Sequence, residues 1–338
     1  MMEERARRAW WRALAENRML RWVVGLGVMS LSVWLLSREL DWAQVRGALQ
    51  QVEYAWVLLG VAAIVGTFFA RSWRWQALLW QGKLALLPTM TALLVGEMVN
   101  MALPVMRSGD VARAVWIGPQ RGTDASEALG SVALEKVWDL LALLLCGVLL
   151  LVLTSPPDWV MRSTWGAAGM LAVGGAALWV GLRWKSVWFR WAGRILERFP
   201  AGWDRALLPK LHSLAQGLTS IQNPQASARV LGWTLLKWGL GAVANWAVMV
   251  AFGITSFPAA ILLLAGLMVG GAIVPTPGRL GVFEAICVMC LALFDVPYDT
   301  ALAVGLVLHL VVMGPPLVVG AGLALWSQSV YRRADGSV

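Results

Sequence analysis

Charged residues are scarce in this sequence. Only 14% of its 338 residues are Asp, Glu, Lys or Arg, whereas 59% are hydrophobic; a soluble domain usually carries about 25% charged residues. Several nearly uncharged runs have the length of a membrane-crossing helix, about 20 residues. The composition excludes an ordinary soluble domain and predicts an all-α polytopic membrane protein, without room for a large additional soluble domain.

Cysteine and histidine are also rare, with three and two residues. Cys146, Cys287 and Cys290 all lie in apolar runs, and no second ligand pair accompanies the last two, so we interpret them as buried, inert thiols. His212 lies in a basic loop, and His309 stands alone in an apolar run. We therefore expect no metal and no cofactor. No glycine-rich phosphate loop follows a strand, which excludes an ATP-driven pump unless another subunit supplies the energy.

Positive charge is in excess, with a formal net charge of +9, but a few segments carry most of it. Residues 1–21 form a basic segment without the apolar core of a signal peptide. Residues 183–222 form a basic loop with tryptophans at helical spacing, which predicts an amphipathic helix on the cytoplasmic face. With a short basic tail at 327–338, this pattern places both termini of a multi-pass protein in the cytoplasm, at the cell (cytoplasmic) membrane. It indicates contact with anionic lipid, not nucleic acid.

The transmembrane domain is predicted to occupy residues 22–326, and hydropathy gives about eight helices. Six full crossings are predicted at about 22–36, 54–70, 128–153, 165–182, 230–252 and 300–326. Arg71 and Arg74 follow the second crossing among tryptophans, so we interpret them as interfacial anchors. Lys237 lies inside the span at 230–252 and is long enough to snorkel to the interface.

Two further apolar runs are interrupted by helix-breaking residues. The predicted structural breaks contain Pro104 and Gly109 in the first run, and Pro275, Pro277, Gly278 and Gly281 in the second. Proline removes a backbone N–H, and glycine allows a sharp turn. A full crossing before the first break would leave its arginines outside, whereas a re-entrant hairpin entering from the cytoplasm keeps them inside. A second hairpin entering from the opposite face would make an inverted repeat, which indicates a transport site.

Charged and polar residues cluster in and beside these runs. A charge at membrane depth costs about 2.5–3.5 kcal/mol on insertion scales, so such a set is tolerated only where its members face one another or a wet cavity. The candidate substrate-binding residues are Glu97, Asn100, Arg107, Asp110, Arg113, Glu135, Lys136, Asp139, Arg279 and Glu284. Ser131, Glu135 and Asp139 are spaced four apart and share one helix face. Two interpretations stay open: a functional cavity, or internal ion pairs that hold the broken helices.

Three of these arginines favour an anionic ligand. Arg107, Arg113 and Arg279 lie on or beside the breaks, where helix N-termini also present free N–H groups, and a guanidinium suits phosphate in particular. Three roles stay open for the carboxylates Glu135, Asp139 and Glu284. They balance the charge of the arginines when no ligand is bound, they contact a cationic headgroup, or they carry a coupling proton.

Four motifs cover the chain from the second span to the last. They are Arg71-Ser-Trp-Arg74-Trp75, then Leu103-Pro104 with Gly109-Asp110 and Arg113, then Glu135-Lys136-x-x-Asp139, then Pro275-x-Pro277-Gly278-x-x-Gly281-Val282-x-Glu284. In these motifs the sequence resembles the transmembrane region of lysylphosphatidylglycerol synthases and the wider flippase-like integral membrane family. It departs from them at Asp110, Lys136 and Arg279, where glutamate, arginine and a small residue are usual. Without the family's soluble aminoacyl-transferring domain, the resemblance implies lipid translocation without lipid synthesis.

The leading hypothesis is a lipid transporter or flippase, not an enzyme. It would move a lipid with a polar, phosphate-bearing headgroup, anionic or zwitterionic, through a charged central cavity. One alternative is a membrane-embedded transferase acting on a lipid-linked substrate, with Glu135 or Asp139 as base, and another is a non-transporting assembly subunit. A second copy of the chain or a lipid-synthesising enzyme are the candidate protein partners.

Overall fold

The structure is a computed structural model that describes residues 42–79, 85–102, 108–117, 125–154, 224–273 and 276–335, with a few isolated positions near residues 30 and 165. Regular structure in these ranges is entirely helical, so the predicted all-α class is confirmed for them. Several predictions lie outside the described residues: the segments at 1–21 and 183–222, most of the spans at 22–36 and 165–182, and the positions Pro104, Arg107 and Pro275.

Nine α-helices and one 3₁₀ turn make up the described part of the chain. They are α1 (Trp42–Gln50), α2 (Tyr54–Leu78), α3 (Leu86–Ala102), α4 (Ser108–Ile117), α5 (Ala125–Leu153), α6 (Pro224–Val250), α7 (Phe257–Ile273), the 3₁₀ turn (Pro277–Arg279), α8 (Val282–Ala292) and α9 (Tyr298–Asp335). Three of these helices, α2, α5 and α9, contain stretches long and apolar enough to cross a membrane. Helices α3 and α7 are apolar but shorter.

Helix α5 shows how a membrane-spanning helix separates its two faces. Leu141, Leu145 and Leu149 repeat every four residues and are exposed, as expected for side chains that meet lipid tails. Glu135 and Asp139 lie on another face and are almost fully buried. The predicted polar face of this helix is therefore confirmed, and it points into the protein.

Helix α2 continues well past the predicted end of its span at residue 70. It ends at Leu78 and packs along α6, with the Trp73 and Trp233 rings 4.8 Å apart. Arg71 and Arg74 therefore lie within a continuous helix. The helix is therefore longer than the predicted span, and the arginines that suggested a lipid interface contact neighbouring helices, Arg74 fully buried and Arg71 partly buried.

The first broken run forms an antiparallel helix pair, α3 and α4. A Cβ added at Gly109 would overlap the carbonyl oxygen of Gly96 on α3, so the two backbones touch at this point. The Asn100 side chain accepts a hydrogen bond from the Gly109 N–H at 2.8 Å and so satisfies a free donor at the start of α4. Gly109 was predicted to form a turn, but it lies inside the first turn of α4 and serves close packing instead.

The second broken run also forms an antiparallel pair, α7 and α8, joined by the 3₁₀ turn. A Cβ at Gly270 on α7 would overlap the Ile286 side chain on α8, so these helices pack closely as well. The connection has left-handed backbone at Gly278 (φ 61°), Arg279 (φ 58°) and Gly281 (φ 78°). Glycine adopts this conformation without steric cost. Gly278 and Gly281 are therefore confirmed as part of a break in the helix.

Helix α9 contacts both helix pairs. Near its start, a Cβ at Gly305 would lie 3.1 Å from Cys287 Cβ on α8. Further along, a Cβ at Gly320 would lie 2.8 Å from Met98 Sδ on α3. Two consecutive prolines, Pro315 and Pro316, interrupt the hydrogen bonding of α9 between these contacts.

Candidate functional site

Arg74 is the centre of a buried ion-pair network between α2 and α5. Its side chain is fully buried, with Nη2 2.6 Å from Glu135 Oε1 and Nη1 2.7 Å from Asp139 Oδ1. The Trp75 indole N–H beside it donates to Ser131 Oγ at 2.9 Å. The interpretation of Arg74 as an interfacial anchor was wrong, because its side chain is fully buried and contacts Glu135 and Asp139 on α5 and Thr234 on α6.

The network continues from Glu135 into the first helix pair. Arg113 on α4 places Nη2 2.8 Å from Glu135 Oε2 and 3.0 Å from Asp110 Oδ1, and its guanidinium lies over the Trp75 ring. Lys136 reaches the other oxygen of Asp110 at 3.1 Å. Helices α2, α4 and α5 are thus joined through a chain of alternating charges.

On the other side of Arg74, Asp139 joins the network to α6. Lys237 Nζ donates to Asp139 Oδ1 at 2.8 Å, and the Trp238 indole N–H donates to the same oxygen at 3.1 Å. Lys237, which was predicted to be long enough to snorkel, forms an ion pair with Asp139 inside the protein.

A second, smaller cluster lies where the two helix pairs meet. Glu97 on α3 accepts a hydrogen bond from Arg71 of α2 at 3.0 Å. Its other oxygen is 4.0 Å from Arg279 Nη2, in the turn between α7 and α8. Two arginines therefore share one carboxylate, and both are partly accessible: their side chains are 21% and 37% exposed.

Two buried hydroxyls at the breaks have no hydrogen-bond partner among the described residues. Thr276 Oγ1 lies at the start of the turn that carries Arg279, and Ser108 Oγ lies at the start of α4. Buried polar atoms are normally paired with protein or with ordered water. Both breaks therefore offer hydrogen-bonding capacity that other described side chains do not use.

A third polar group holds the start of α8. Glu284 Oε2 accepts a hydrogen bond from the Gly281 N–H at 2.7 Å, and its Oε1 lies 2.6 Å from His309 Nδ1 on α9. Both side chains are buried in a largely apolar cluster, and the Phe283 ring packs on the imidazole at 4.7 Å. His309 was expected to stand alone, but the structure pairs it with a predicted site residue.

By their ion pairs and hydrogen bonds, the ten candidate residues fall into several groups. The large network contains Asp110, Arg113, Glu135, Lys136 and Asp139; Glu97 and Arg279 meet each other; Glu284 pairs with His309; Asn100 caps α4; and Arg107 lies outside the described residues.

Sequence reasoning missed Arg71, Arg74, Lys237 and His309. A signal for Arg74 was available in the sequence. The buried acidic face of α5 requires cations from a neighbouring helix, and α2 carries this arginine.

The long apolar helices and the polar groups paired between them define an integral membrane protein with a charged interior. The family model for the lysylphosphatidylglycerol synthase TM region matches residues 22–320, so the chain belongs to this family of membrane proteins related to lipid handling. None of the curated proteins matches the chain.

Proposed function

We propose that this protein moves a lipid with a phosphate-bearing headgroup across the bilayer, and that the headgroup passes the junction between the two helix pairs. The single observation that carries the proposal is the approach of Arg279, at the tip of one pair, to Glu97 in the middle of the other. Broken membrane helices that meet at a polar junction are a recurrent arrangement of transport sites.

The lengths of the paired helices favour re-entrant hairpins. Helices α3 and α7 have 17 residues each, and α4 and α8 have 10 and 11. At about 1.5 Å rise per residue, the longer members extend about 25 Å and the shorter ones about 15 Å, less than the ~30 Å hydrocarbon core. We therefore propose two re-entrant hairpins with opposite orientation in an inverted repeat, entering from opposite faces and meeting within the membrane.

Exposure and charge favour Arg71 and Arg279 as the contacts for phosphate. The side chains of Arg74 and Arg113 are at most 2% exposed and are held by carboxylates. At the junction, in contrast, two partly exposed arginines face one carboxylate, and Arg279 Nη2 is 4.0 Å from its nearer oxygen. A guanidinium that is incompletely paired can bind phosphate through two N–H groups.

The large network then has a supporting role. Glu135 and Asp139 both accept hydrogen bonds from Arg74, which leaves neither as a free base of the kind that the transferase alternative requires. The network holds α2, α4, α5 and α6 in place while the junction binds the headgroup.

Transport of headgroup-labelled phosphatidylglycerol in proteoliposomes tests this function. Arg279→Gly removes the guanidinium at a position whose left-handed backbone suits glycine, so the variant is expected to fold. We expect its transport rate to fall at least about tenfold, a change of ~1.4 kcal/mol in headgroup interaction. Arg279→Lys keeps the charge and is expected to retain more activity than the glycine variant.

Neutral diacylglycerol is the matched substrate control, because it lacks the phosphate that the arginines would bind. A wild-type protein that moves no labelled lipid above protein-free liposomes contradicts the transport function and favours the assembly-subunit alternative. If the Arg279→Gly variant is instead fully active, Arg279 does not contribute to the movement of the headgroup.

A further inference from the structure

The hydrogen-bonded pair of Glu284 and His309 has no role in the headgroup site proposed above. Glu284 is 4% exposed and His309 is 8% exposed, and the heavy atoms that face each other are 2.6 Å apart. Helix packing surrounds the pair with Phe283, Cys287 and Leu308, all fully or almost fully buried. A carboxylate and an imidazole in such a place can exchange a proton with each other at very short range.

Within the part of the chain that the structure describes, no other charged side chain forms a hydrogen bond or ion pair with Glu284 or His309. The titratable residues on the elements packed against α8 and α9 are Arg46, Tyr54, Arg71, Arg74, Glu97, Arg229, Lys237, Cys287, Cys290, Tyr298 and Asp299, with Arg279 in the turn before α8 and Tyr331, Arg332, Arg333 and Asp335 at the far end of α9. Helix α7 has none. Of these residues, Cys287 lies on the same surface of α8 as Glu284, facing Gly305. Arg71, Arg74 and Lys237 on α2 and α6 form ion pairs with other carboxylates.

We infer that Glu284 and His309 form a proton-binding site whose occupancy is coupled to headgroup movement at the junction. The coupling rests on the proposed transport function, whereas proton binding does not. The proton is the ligand, and the structure places its site at the base of the same turn that carries Arg279.

The proton balance of the pair is simple. When Glu284 is ionised and His309 is neutral, Nδ1 carries the hydrogen that is shared with Oε1, and the pair has one negative charge. One additional proton, on the other imidazole nitrogen or on the carboxyl group, makes the pair neutral overall. An isolated charge is costly in an apolar cluster, so the two states differ in how strongly they are stabilised by their surroundings.

The second oxygen of Glu284 connects this site to the tip of the hairpin. It accepts the Gly281 N–H at 2.7 Å, and Gly281 has φ 78° at the point where the break ends and α8 begins. An ionised carboxylate is a stronger acceptor for this N–H than a protonated one. Proton uptake that places the additional proton on the carboxyl group therefore loosens the start of α8, two residues from Arg279.

Proton binding is measured first, without any lipid substrate. Proton uptake per protein in nanodiscs is recorded with a pH indicator during a jump from about pH 8 to about pH 5. We expect Glu284→Gln and His309→Gln each to take up about one proton less than the wild type, with loss of one imidazolium or carboxyl band in infrared difference spectra.

Asp295→Asn is the matched control, because it makes the same chemical change at an exposed residue whose left-handed backbone suits asparagine. The Asp295→Asn variant is expected to keep the imidazolium or carboxyl band of the wild type in the infrared difference spectrum. A band and a proton count that are identical in wild type and in Glu284→Gln would overturn the inference. If Glu284→Gln does not fold, His309→Gln alone decides, since it leaves the Gly281 cap in place.

Coupling is then measured by lipid transport with an imposed pH difference, at clamped membrane potential. We expect the gradient to change the wild-type rate several-fold, the Asp295→Asn rate equally, and the His309→Gln rate not at all. Equal responses of wild type and His309→Gln overturn the coupling. Absence of transport in every sample, with the proton count as expected, contradicts the proposed function while proton binding at the pair stands.

Discussion

Replacement of Arg74 by glutamine is expected to lower the free energy of unfolding by about 3–5 kcal/mol, the usual effect of removing one partner from a buried ion pair. Arg74 is fully buried, and its two terminal nitrogens contact Glu135 and Asp139. Without it, two carboxylates remain in a nearly water-free place with one cation fewer. Thermal unfolding in detergent, followed by circular dichroism, measures the loss.

A second variant separates charge imbalance from lost packing. Arg74→Gln leaves Glu135 with Arg113, Asp110 with Lys136 and Asp139 with Lys237. When it is combined with Glu135→Gln, Arg113 and Lys136 share the single carboxylate of Asp110. The double variant is therefore expected to be less stable than Arg74→Gln alone. Arg229→Gln, at an exposed position on α6, is the matched control and should change little. Arg74→Gln unfolding at the wild-type temperature would show that the network does not hold the fold.

Replacement of Gly109 by alanine is expected to separate the first helix pair. The added methyl group would overlap the Gly96 carbonyl oxygen, and a backbone atom cannot move aside as a flexible side chain can. Overpacking of this kind costs about 1–3 kcal/mol, and the upper end is expected where backbone meets backbone. The Asn100 cap of α4 would be lost at the same time. Lower thermal stability and faster proteolysis between α3 and α4 measure the effect.

Gly239→Ala is the control, and we expect it to raise stability rather than lower it. Nothing lies within 4 Å of a Cβ added at this exposed position of α6. Alanine in place of glycine within a helix stabilises it by about 0.8–1.0 kcal/mol. If both alanine variants change stability in the same direction, the contact between Gly96 and Gly109 does not hold the helix pair together.

Much of the fold was predictable because apolar runs and helix breakers act locally. The polar face of α5 followed from residue spacing alone. The break around Gly278 and Gly281 followed from these glycines and from Pro275 and Pro277 beside them. The end of α2 was not predictable in this way, because an arginine beside tryptophans suits both a lipid interface and a buried ion pair. Only the position of α5 in space decides between them.

The division of the charges into separate groups was likewise outside the reach of sequence. Glu97 and Glu135 are both carboxylates in apolar runs, yet one is shared by two partly exposed arginines and the other is enclosed. His309 lies 25 positions from Glu284, so no local pattern connects them. Pairing between distant helices depends on how the helices cross, which residue spacing within one helix does not specify.

The two prolines of α9 have a mechanical consequence. Pro315 and Pro316 donate no N–H, so the carbonyl groups of Val311 and Val312 lose their usual hydrogen bonds from four residues on, and we expect α9 to bend more easily there than elsewhere. The part before this joint is anchored to α8 through His309, and the part after it is anchored to α3 through Gly320. We therefore expect that one helix pair can tilt against the other by bending of α9 at these prolines, while each part of α9 keeps its contacts.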